Sequence, residues 1–315
     1  MRRKRIPAAP LPQRNGVDPV RLRLPADPAG AWPTVRDHLV ARFAGAVGVP
    51  EVDGMFRDGR FVDADGRSVA PGEPYTVGRW LWFHRDAAPE ERVPFEIGVV
   101  YRDDRIVIAD KPHFLATTPR GSHVTETLVA RARHELDLPA LQPAHRLDRL
   151  TAGLVLLVVR PELRGAYQTL FRDRLVRKEY EAIAPYDPAV PLPTTVRSRI
   201  EKERGVLTAR EVPGEPNSES RIELLSHDAD ADAGHARYRL LPTTGRTHQL
   251  RVHMNALGLP LLDDPLYPTV LPPAPDDYSR PLRLLARVLE FRDPVTGEQR
   301  HFESAWRLAG PSADS

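Results

Sequence analysis

A short polar stretch that runs into an unbroken aliphatic segment constrains this chain more than any other feature. Residues 145–153 have the sequence HRLDRLTAG, and residues 154–159 are all leucine or valine. An aliphatic segment of this length that is rich in valine is typical of a strand covered on both faces. The polar residues before it are therefore predicted to lie at the edge of a sheet, on a rigid base.

One carboxylate lies inside that polar stretch. Asp148 is flanked by Arg146 and Arg149, and nearby positive charges favour the ionised form of a carboxyl group. A fixed, ionised carboxylate suits catalysis. An ion-pair cluster that only stabilises the start of a strand would contain the same residue types, so the pattern alone leaves both interpretations open.

Composition limits the classes of protein to which the chain can belong. Its 315 residues, 41% of them hydrophobic, suffice for one large domain or for a large and a small one. There is no cysteine, which excludes disulfides and thiolate metal sites. No apolar run approaches the ~20 residues of a membrane-spanning helix. The basic N-terminus is followed by prolines rather than by an apolar segment, so no secretory signal is predicted and a cytoplasmic location is expected.

Four further motifs accompany HRLDRLTAG in a fixed order. They are VIADKPHFLATTPRG at residues 107–121, KEYEA at residues 178–182, GRTHQLRVH at residues 245–253 and LGLPLLDDPLYP at residues 257–268. In this order the five motifs resemble those of the RluA-type family of RNA pseudouridine synthases. The resemblance extends from about residue 95 to the C-terminus.

This resemblance implies both a fold and a reaction. The expected fold is α+β, with a mixed, mostly antiparallel, bent sheet, flanking helices and a central active-site cleft. The expected reaction converts a specific uridine of ribosomal or transfer RNA into pseudouridine, by base flipping and a catalytic aspartate. Because the isomerisation involves no redox change and no external group, no cofactor and no metal are expected. RNA is the expected partner, and a monomer with no membrane association is expected.

The resemblance also assigns roles to individual residues. Asp148 matches the catalytic aspartate, which either attacks the base or sugar covalently or removes a sugar proton by way of a glycal. The sequence leaves both routes open. Tyr180 matches the active-site tyrosine that stacks on the flipped base, and Leu250 is expected to pack near that base. Arg251 matches the arginine that pairs with the catalytic aspartate.

A second group of residues is expected to support the site or to contact RNA. Arg146 is expected to contact backbone phosphate or to help extrude the nucleotide. Lys178 shares a strand face with Tyr180, so it either orients the site or contacts a phosphate. Arg246 precedes a helix that Thr247 is expected to cap, where free N–H groups favour an anion. The full group is His145, Arg146, Arg149, Lys178 and Arg246.

The chain is predicted to divide into three parts. Residues 1–31 are rich in proline and arginine and are predicted to form a flexible arm. Residues 32–92 are predicted to form a small module, with helical spacing over residues 35–47 and a strand over residues 77–83. This module is loosely similar to the S4-type RNA-binding modules attached to this family, and a packing extension of the catalytic domain is an equally good interpretation. Residues 93–315 are the predicted catalytic domain.

Within that domain, further helices and strands follow from hydrophobic spacing and caps. A helix is expected to begin after a Thr125 cap and to end near residue 136. Residues 228–232 are predicted to form a surface loop rather than a cation site, because no glycine turn or distal glutamate completes such a site. The remaining predictions are strands over residues 99–109, 154–159, 178–184 and 236–241, and helices over residues 163–175 and 247–256.

Five positions depart from the family pattern. Ala152 stands where serine is usual, and Asp263 and Pro268 stand where glycine is frequent. His113 and Phe114 replace a pair of smaller residues. None of them belongs to the predicted catalytic set, so they are expected to affect substrate fit and loop shape.

Two other functions fit parts of the same sequence. A metal-independent ribonuclease would use His145 and His248 as acid and base, with Lys178 stabilising charge, but it gives Asp148 no function. A non-catalytic RNA-binding or ribosome-assembly factor has no need of a carboxylate that repels phosphate. Outside the ribonuclease interpretation, His248 and His253 are expected to be helix-surface or packing residues.

Overall fold

The computed structural model describes residues 7–86, 89–121, 123–227, 234–272 and 274–308 of the chain. The chain separates into two compact units, Met1–Pro89 and Glu90–Ser315. The second unit begins at Glu90 rather than at residue 93, because the Glu90 carboxylate accepts hydrogen bonds from the backbone N–H groups of Val124 and Thr125. The aspartate-rich residues 228–232 lie outside the described residues.

The first unit is a small module with its own apolar core. Its elements are strand β1 (Val20–Arg23), helix α1 (Val35–Val47), helix α2 (Val49–Arg57) and strand β2 (Trp80–Phe83). β1 pairs antiparallel with β2, where Leu22 lies opposite Leu81 and both side chains are buried. The predicted flexible arm does not hold for residues 20–24, since β1 pairs with β2 and Leu22 and Leu24 belong to the core of this unit.

Helix α1 begins at a capping box. The Thr34 hydroxyl oxygen accepts the backbone N–H of Asp37, and the Asp37 carboxylate accepts the backbone N–H of Thr34. Two of the N–H groups that a helix leaves unpaired at its start are satisfied in this way. Val35 and Leu39 are fully buried on the inner face, so the helix predicted over residues 35–47 is confirmed.

The second unit is built on an eleven-stranded sheet. Its strands are β3 (Gly98–Arg102), β4 (Ile106–Lys111), β5 (Gln142–Pro143), β6 (Ala152–Val158), β7 (Val176–Pro185), β8 (Thr194–Glu201), β9 (Arg210–Val212), β10 (Ser218–Ser226), β11 (His235–Pro242), β12 (Leu284–Arg292) and β13 (Gln299–Glu303). The order across the sheet is β3-β4-β6-β12-β7-β11-β10-β8-β9, with β5 paired to β6 and β13 to β12. Among the described strands only β6 and β12 are parallel, which confirms the mixed, mostly antiparallel sheet.

The described helices of this unit are α3 (Leu128–Glu135), α4 (Arg164–Arg172) and α5 (Gln249–Ala256), with a 3₁₀ turn (Pro161–Leu163) before α4. The predicted cap of α3 is wrong. Thr127 is the cap, and its hydroxyl oxygen accepts the backbone N–H of Ala130. The Thr125 hydroxyl instead donates to the Glu90 carboxylate. No helix in the described part of the chain combines the length and apolar character that crossing a membrane requires.

β6 is the central strand that the aliphatic segment predicts. All of its residues are buried. Val155 and Leu157 belong to one apolar cluster, whereas Leu154 and Leu156 belong to another, as the alternation of side chains along a strand requires. Because both faces are covered, the strand is leucine or valine at every position from residue 154 to residue 158. β6, β12 and β7 lie side by side in the middle of the sheet, so the loop before β6 opens on its central region.

Candidate active site

The loop before β6 carries Asp148, and its main chain is fixed. Four consecutive carbonyl oxygens each accept a hydrogen bond: Leu147 from the Thr117 hydroxyl at 2.8 Å, Asp148 from the Thr151 N–H at 3.1 Å, Arg149 from Lys111 Nζ at 3.2 Å and Leu150 from His113 Nδ1 at 2.7 Å. Three of these donors, Lys111, His113 and Thr117, lie at the end of β4 and in the segment that follows it. This segment therefore determines where the Asp148 carboxylate stands.

Lys111 anchors the arrangement. Its side chain is fully buried, and its Nζ donates to the carbonyl oxygens of Pro112, Leu115 and Arg149 at 2.9, 2.7 and 3.2 Å. Burial lowers the pKa of Lys111 to about 7, while the charge of Asp148 opposes that shift. The three acceptors match the three hydrogens of an ammonium group, so Lys111 is a positioning residue for the loop.

The loop ends at a position that requires glycine. Gly153 has a φ of 112°, and a Cβ atom there would lie 2.3 Å from the carbonyl oxygen of Ala286. Gly153 pairs with Ala286 where β6 meets β12. The glycine of HRLDRLTAG is therefore needed because two backbones approach each other closely at the end of the loop.

The Asp148 side chain lies between two cavities. Its side chain is 24% exposed, and the cavities have volumes of about 360 and 520 Å³. Both are lined by Arg146, Leu147, Asp148, His248 and Arg251. The smaller one, here named the tyrosine cavity, is also lined by His145, Lys178, Tyr180, Arg246 and Leu250. The larger one, here named the hairpin cavity, is also lined by Arg149 and by residues 202 and 205–207 between β8 and β9.

The tyrosine cavity combines an aromatic ring, an amine and an apolar side chain. Burial, and then the charge of Asp148, raises the pKa of Tyr180 well above its ordinary value, so its hydroxyl stays protonated. Lys178 Nζ donates to the Thr244 carbonyl at 2.9 Å, and burial lowers the pKa of Lys178 to about 8. Leu250 is 7% exposed and packs in the core beneath the cavity.

Arg251 forms its ion pair with Asp264 rather than with Asp148. Arg251 Nε and Nη2 donate to the two carboxylate oxygens of Asp264 at 2.7 and 2.5 Å. Burial opposes the charge of Arg251, but the pair with Asp264 raises its pKa, and Asp148 adds to the rise. Among the described residues no ion pair joins Arg251 to Asp148, so their pairing stays a prediction. Asp264 takes the guanidinium edge formed by Nε and Nη2, and Arg251 acts on Asp148 as a fixed nearby charge.

His145 is a packing residue. Its ring stacks on Phe171 with centroids 4.2 Å apart, and its Nε2 accepts the backbone N–H of Leu156 at 3.1 Å. Burial lowers the pKa of His145 to about 3, so the ring is neutral. Because Nε2 is bonded to β6, His145 does not provide the acid or base that the ribonuclease interpretation needs.

The three arginines expected to contact RNA are held differently. Arg149 Nη1 and Nη2 donate to the Asp276 carboxylate at 2.6 and 2.9 Å, so this side chain supports the loop. Arg246 is exposed and its Nε donates to the Asn217 carbonyl at 3.2 Å. Arg146 is exposed and has no hydrogen-bond or ion-pair partner among the residues that the structure describes. Of the three, Arg146 is the one with none of its donors engaged by another described residue, so all of them remain available to a ligand.

His248 lies beside Asp148 in the site. Its Nε2 lies 4.0 Å from Asp148 Oδ2, and its Nδ1 lies 3.0 Å from the Tyr267 hydroxyl oxygen. His248 itself is the N-cap of α5, with a left-handed φ of 56° and no side-chain capping bond, so the predicted Thr247 cap is wrong. The prediction of a helix-surface or packing residue missed this contact, because it depends on the turn before α5 that directs the ring toward Asp148.

The side chains around Asp148 determine what chemistry this site can perform. A carboxylate on a fixed loop faces a tyrosine, a buried arginine and a neutral histidine. Within the described ranges, no group of three or more metal-ligating side chains could hold a metal ion.

Comparison with known proteins identifies the family. The family model described as RNA pseudouridylate synthase matches residues 105–256, which include Asp148, Tyr180 and Arg251. The dual-specificity RNA pseudouridine synthase RluA of Pasteurella multocida is 32% identical over 223 residues, which cover 66% of this chain and 92% of that protein. This chain belongs to the RluA-type family of RNA pseudouridine synthases.

The RluA-type assignment extends to further relatives and to the fold. Ribosomal large subunit pseudouridine synthase D of Pseudomonas aeruginosa is 29% identical over 288 residues, covering 85% of this chain and 84% of that protein. The structure of human RNA pseudouridylate synthase domain containing 4 superimposes with a TM-score of 0.50 at 26% identity, covering 67% of this chain and 88% of the human chain. The expected pseudouridine synthase fold and the expected isomerase activity on RNA are thereby confirmed.

Proposed function

We propose that this RluA-type enzyme converts a uridine of ribosomal or transfer RNA into pseudouridine and that Asp148 is its catalytic residue. One observation carries the proposal. Asp148 stands between the tyrosine cavity and the hairpin cavity, on a loop whose carbonyl oxygens are fixed from residue 147 to residue 150. The names of two relatives support the substrate class, since one is dual-specific for RNA and the other acts on the large ribosomal subunit.

The target base is proposed to enter the tyrosine cavity. A uridine within a helix cannot bring its glycosidic bond to a carboxylate in such a recess, so the nucleotide has to be flipped out. Tyr180 then stacks on the base and Leu250 contacts its edge. Arg146, exposed at the mouth of both cavities, is placed to contact backbone phosphate or to occupy the position that the flipped base vacates. Lys178 is held by Thr244 at the cavity wall and orients the site.

The reaction needs only groups of this chain. The C1′–N1 bond of the uridine breaks, the uracil turns while Tyr180 and Leu250 retain it, and C1′ bonds to C5. The hydrogen on C5 leaves as a proton and N1 takes up a proton, so the atoms balance without a cofactor. Asp148 acts either by a transient covalent bond or by removing the C2′ proton to give a glycal. Both routes use the same fixed carboxylate.

Arg251 supplies a preorganised positive charge beside that carboxylate. Its side chain is 2% exposed and is held by Asp264, so it does not have to reorganise when charge develops at the reacting sugar or at Asp148. Fixed charges of this kind, in a site from which water is excluded, contribute strongly to catalysis.

The first unit is proposed to bind RNA, as an S4-type module would. Arg21 and Arg23 on β1 are exposed and lie 5.4 and 5.8 Å from the ring centroid of Trp80 on β2. An arginine–aromatic surface suits stacking on unpaired bases. We also propose that the protein is a monomer in the cytoplasm. The absence of cysteine suits such a reducing compartment. The RNA affinity of an Arg21→Ala/Arg23→Ala variant tests the role of this surface.

Tritium release tests the proposed reaction. RNA labelled with tritium at uridine C5 is prepared from cells that lack this protein and is incubated with wild-type enzyme or with Asp148→Asn. We expect release by the wild type and none by the variant, with both proteins melting at the same temperature. Asp104→Asn, at a position 74% exposed, is the matched control and should release tritium as the wild type does. Release by Asp148→Asn at the wild-type rate would refute the role of Asp148, and no release by the wild type would refute the proposed activity on cellular RNA.

A further inference from the structure

The hydrogen bonds of Tyr267 determine the tautomer of His248. The Tyr267 hydroxyl oxygen accepts the backbone N–H of Ala209 at 2.8 Å, and its own hydrogen is donated to the Ala209 carbonyl at 2.8 Å. A tyrosine hydroxyl has one hydrogen, and this hydrogen is already used. The contact of 3.0 Å between the hydroxyl oxygen and His248 Nδ1 therefore requires Nδ1 to carry the hydrogen and to donate it.

With Nδ1 protonated, the other ring nitrogen of a neutral histidine is an acceptor. Burial, the largest cause, lowers the pKa of His248 to about 4, although Asp148 opposes that shift. His248 is thus neutral near pH 7, and its Nε2 presents a lone pair. Asp148 Oδ2 lies 4.0 Å from it and is an acceptor too. Two acceptors face each other with no hydrogen between them.

Within the described part of the chain, His248 Nε2 has no hydrogen-bond partner. His248 is the N-cap of α5, but its side chain forms no capping bond, and its backbone adopts a left-handed φ of 56°. Non-glycine residues at positive φ are uncommon and collect at functional sites, where the surrounding structure maintains them. Here Tyr267 holds the ring at Nδ1, and Nε2 is left facing both cavities.

We propose that His248 Nε2 accepts the hydrogen of the 2′-hydroxyl of the target uridine, an inference that rests on the proposed function. A donor is needed between Nε2 and Asp148. If Asp148 reacts at the base, at C1′ or at C2′, the hydroxyl on C2′ is the ribose donor nearest to that carboxylate. At 4.0 Å separation, the hydroxyl oxygen can stand within hydrogen-bond distance of both Nε2 and the carboxylate, and its single hydrogen is shared between these two acceptors in a three-centre bond. The 2′-hydroxyl also distinguishes RNA from DNA, so His248 is a specificity-determining residue.

Two substitutions separate the two ring nitrogens. His248→Asn keeps an amide N–H near the position of Nδ1, tolerates the left-handed backbone and has no acceptor near the position of Nε2. His248→Gln is longer, and its amide oxygen reaches the position of Nε2. His301→Asn makes the same chemical change at a side chain that is 51% exposed, and it serves as the control.

The substrate is an oligoribonucleotide that spans the uridine mapped with the tritium assay. It is made with uridine or with 2′-deoxyuridine at that single position. Tritium release gives kcat/KM for both forms, and equilibrium binding gives Kd for both. The ratio of the two forms measures the use of the 2′-hydroxyl. We expect the preference for uridine to be about tenfold smaller in His248→Asn than in the wild type, the size of one good hydrogen bond. We expect His248→Gln to recover part of it.

A purely structural role predicts something else. Such a role would lower activity and affinity for both forms equally, and a preference that is unchanged in His248→Asn and in His248→Gln would overturn the proposal. His301→Asn should match the wild type with both forms. Absence of tritium release by the wild type on cellular RNA is a separate failure, which removes the proposed function before the 2′-hydroxyl is tested.

Discussion

Replacing Asp264 with asparagine leaves the charge of Arg251 buried without its counter-charge. The Arg251 and Asp264 side chains are 2% and 0% exposed, and two hydrogen bonds of 2.7 and 2.5 Å join them. The substitution is selective, because an amide oxygen can still accept the backbone N–H groups of Leu266 and Tyr267, as Asp264 Oδ1 does. Removing one partner of a buried ion pair costs about 3–5 kcal/mol, and we expect Asp264→Asn to lie in this range.

Hydrogen exchange measures this loss in the unit where it occurs. Trp32, Trp80 and Trp82 lie in the first unit and Trp306 in the second, so tryptophan fluorescence mainly follows the wrong unit. Amide exchange of β6 and β7, followed by mass spectrometry, reports opening of the second unit directly. A loss of about 3–5 kcal/mol corresponds to exchange roughly 10² to 10⁴ times faster for the most protected amides.

A double substitution tests the reasoning. Arg251→Met/Asp264→Leu removes both charges, and apolar side chains of similar volume often replace a buried ion pair without loss of stability. We therefore expect exchange to return to within about 1 kcal/mol of the wild type, while tritium release stays low because the fixed charge beside Asp148 is gone. Exchange less than tenfold faster in Asp264→Asn, or a double variant as unstable as the single one, would show that the two charges do not compensate each other.

Two further predictions concern the stability of the second unit. Burial lowers the pKa of four histidines to about 3 or 4, those of His113, His145, His248 and His253. Each folded-state pKa lies below the ordinary 6.5, so the unfolded chain binds protons that the folded chain does not. The free energy of unfolding therefore falls as pH drops from about 6.5 toward 4, by about 2 kcal/mol per histidine at pH 5. Urea midpoints that do not change between pH 7 and 5 would contradict this. Gly153→Ala is expected to lower the melting temperature strongly, since its Cβ would meet the Ala286 carbonyl oxygen at 2.3 Å, whereas Gly165→Ala in α4 meets nothing within 4 Å and should be neutral or slightly stabilising.

Much of the fold could be predicted because its signals are local. The aliphatic segment after HRLDRLTAG gave the central strand β6, and its burial on both faces follows from composition alone. Alternation along β7 placed Lys178 and Tyr180 on one face, and both line the tyrosine cavity. The arm was mispredicted for residues 20–24, because pairing of β1 with β2 is a contact across about sixty residues. No window over the first strand alone contains that information.

The partners within the site could not be predicted for the same reason. Arg251 belongs to a motif, but the motif does not indicate that Asp264, thirteen residues later, binds the guanidinium edge formed by Nε and Nη2. Outside the ribonuclease interpretation, His248 was predicted to be a helix-surface or packing residue, and only the positive φ before α5 and the hydroxyl of Tyr267 give it an acceptor that faces the carboxylate. Motifs locate the reacting groups, whereas tautomers and ion pairs are set by residues brought together from elsewhere.

The departures at His113 and Phe114 show how closely substrate fit and support of the reacting group are linked. They were expected to affect loop shape without touching the catalytic set. In the structure His113 Nδ1 donates to the Leu150 carbonyl in the Asp148 loop. Phe114 adopts a φ of 65°, unusual for a bulky residue, and its ring packs edge-on against Tyr278 at 5.1 Å.

Tyr278 belongs to the same segment as Asp276, whose carboxylate holds the Arg149 guanidinium. The segment is therefore attached twice, by an ion pair to Arg149 of the catalytic loop and by an apolar contact to Phe114 of the segment that supports this loop. Glycine at position 114 would remove the apolar attachment and, having no Cβ atom, relieve the backbone strain at the same time. The strain is thus compensated by a contact outside the family motifs, and in this chain the position of Asp148 depends on residues that the motifs do not include.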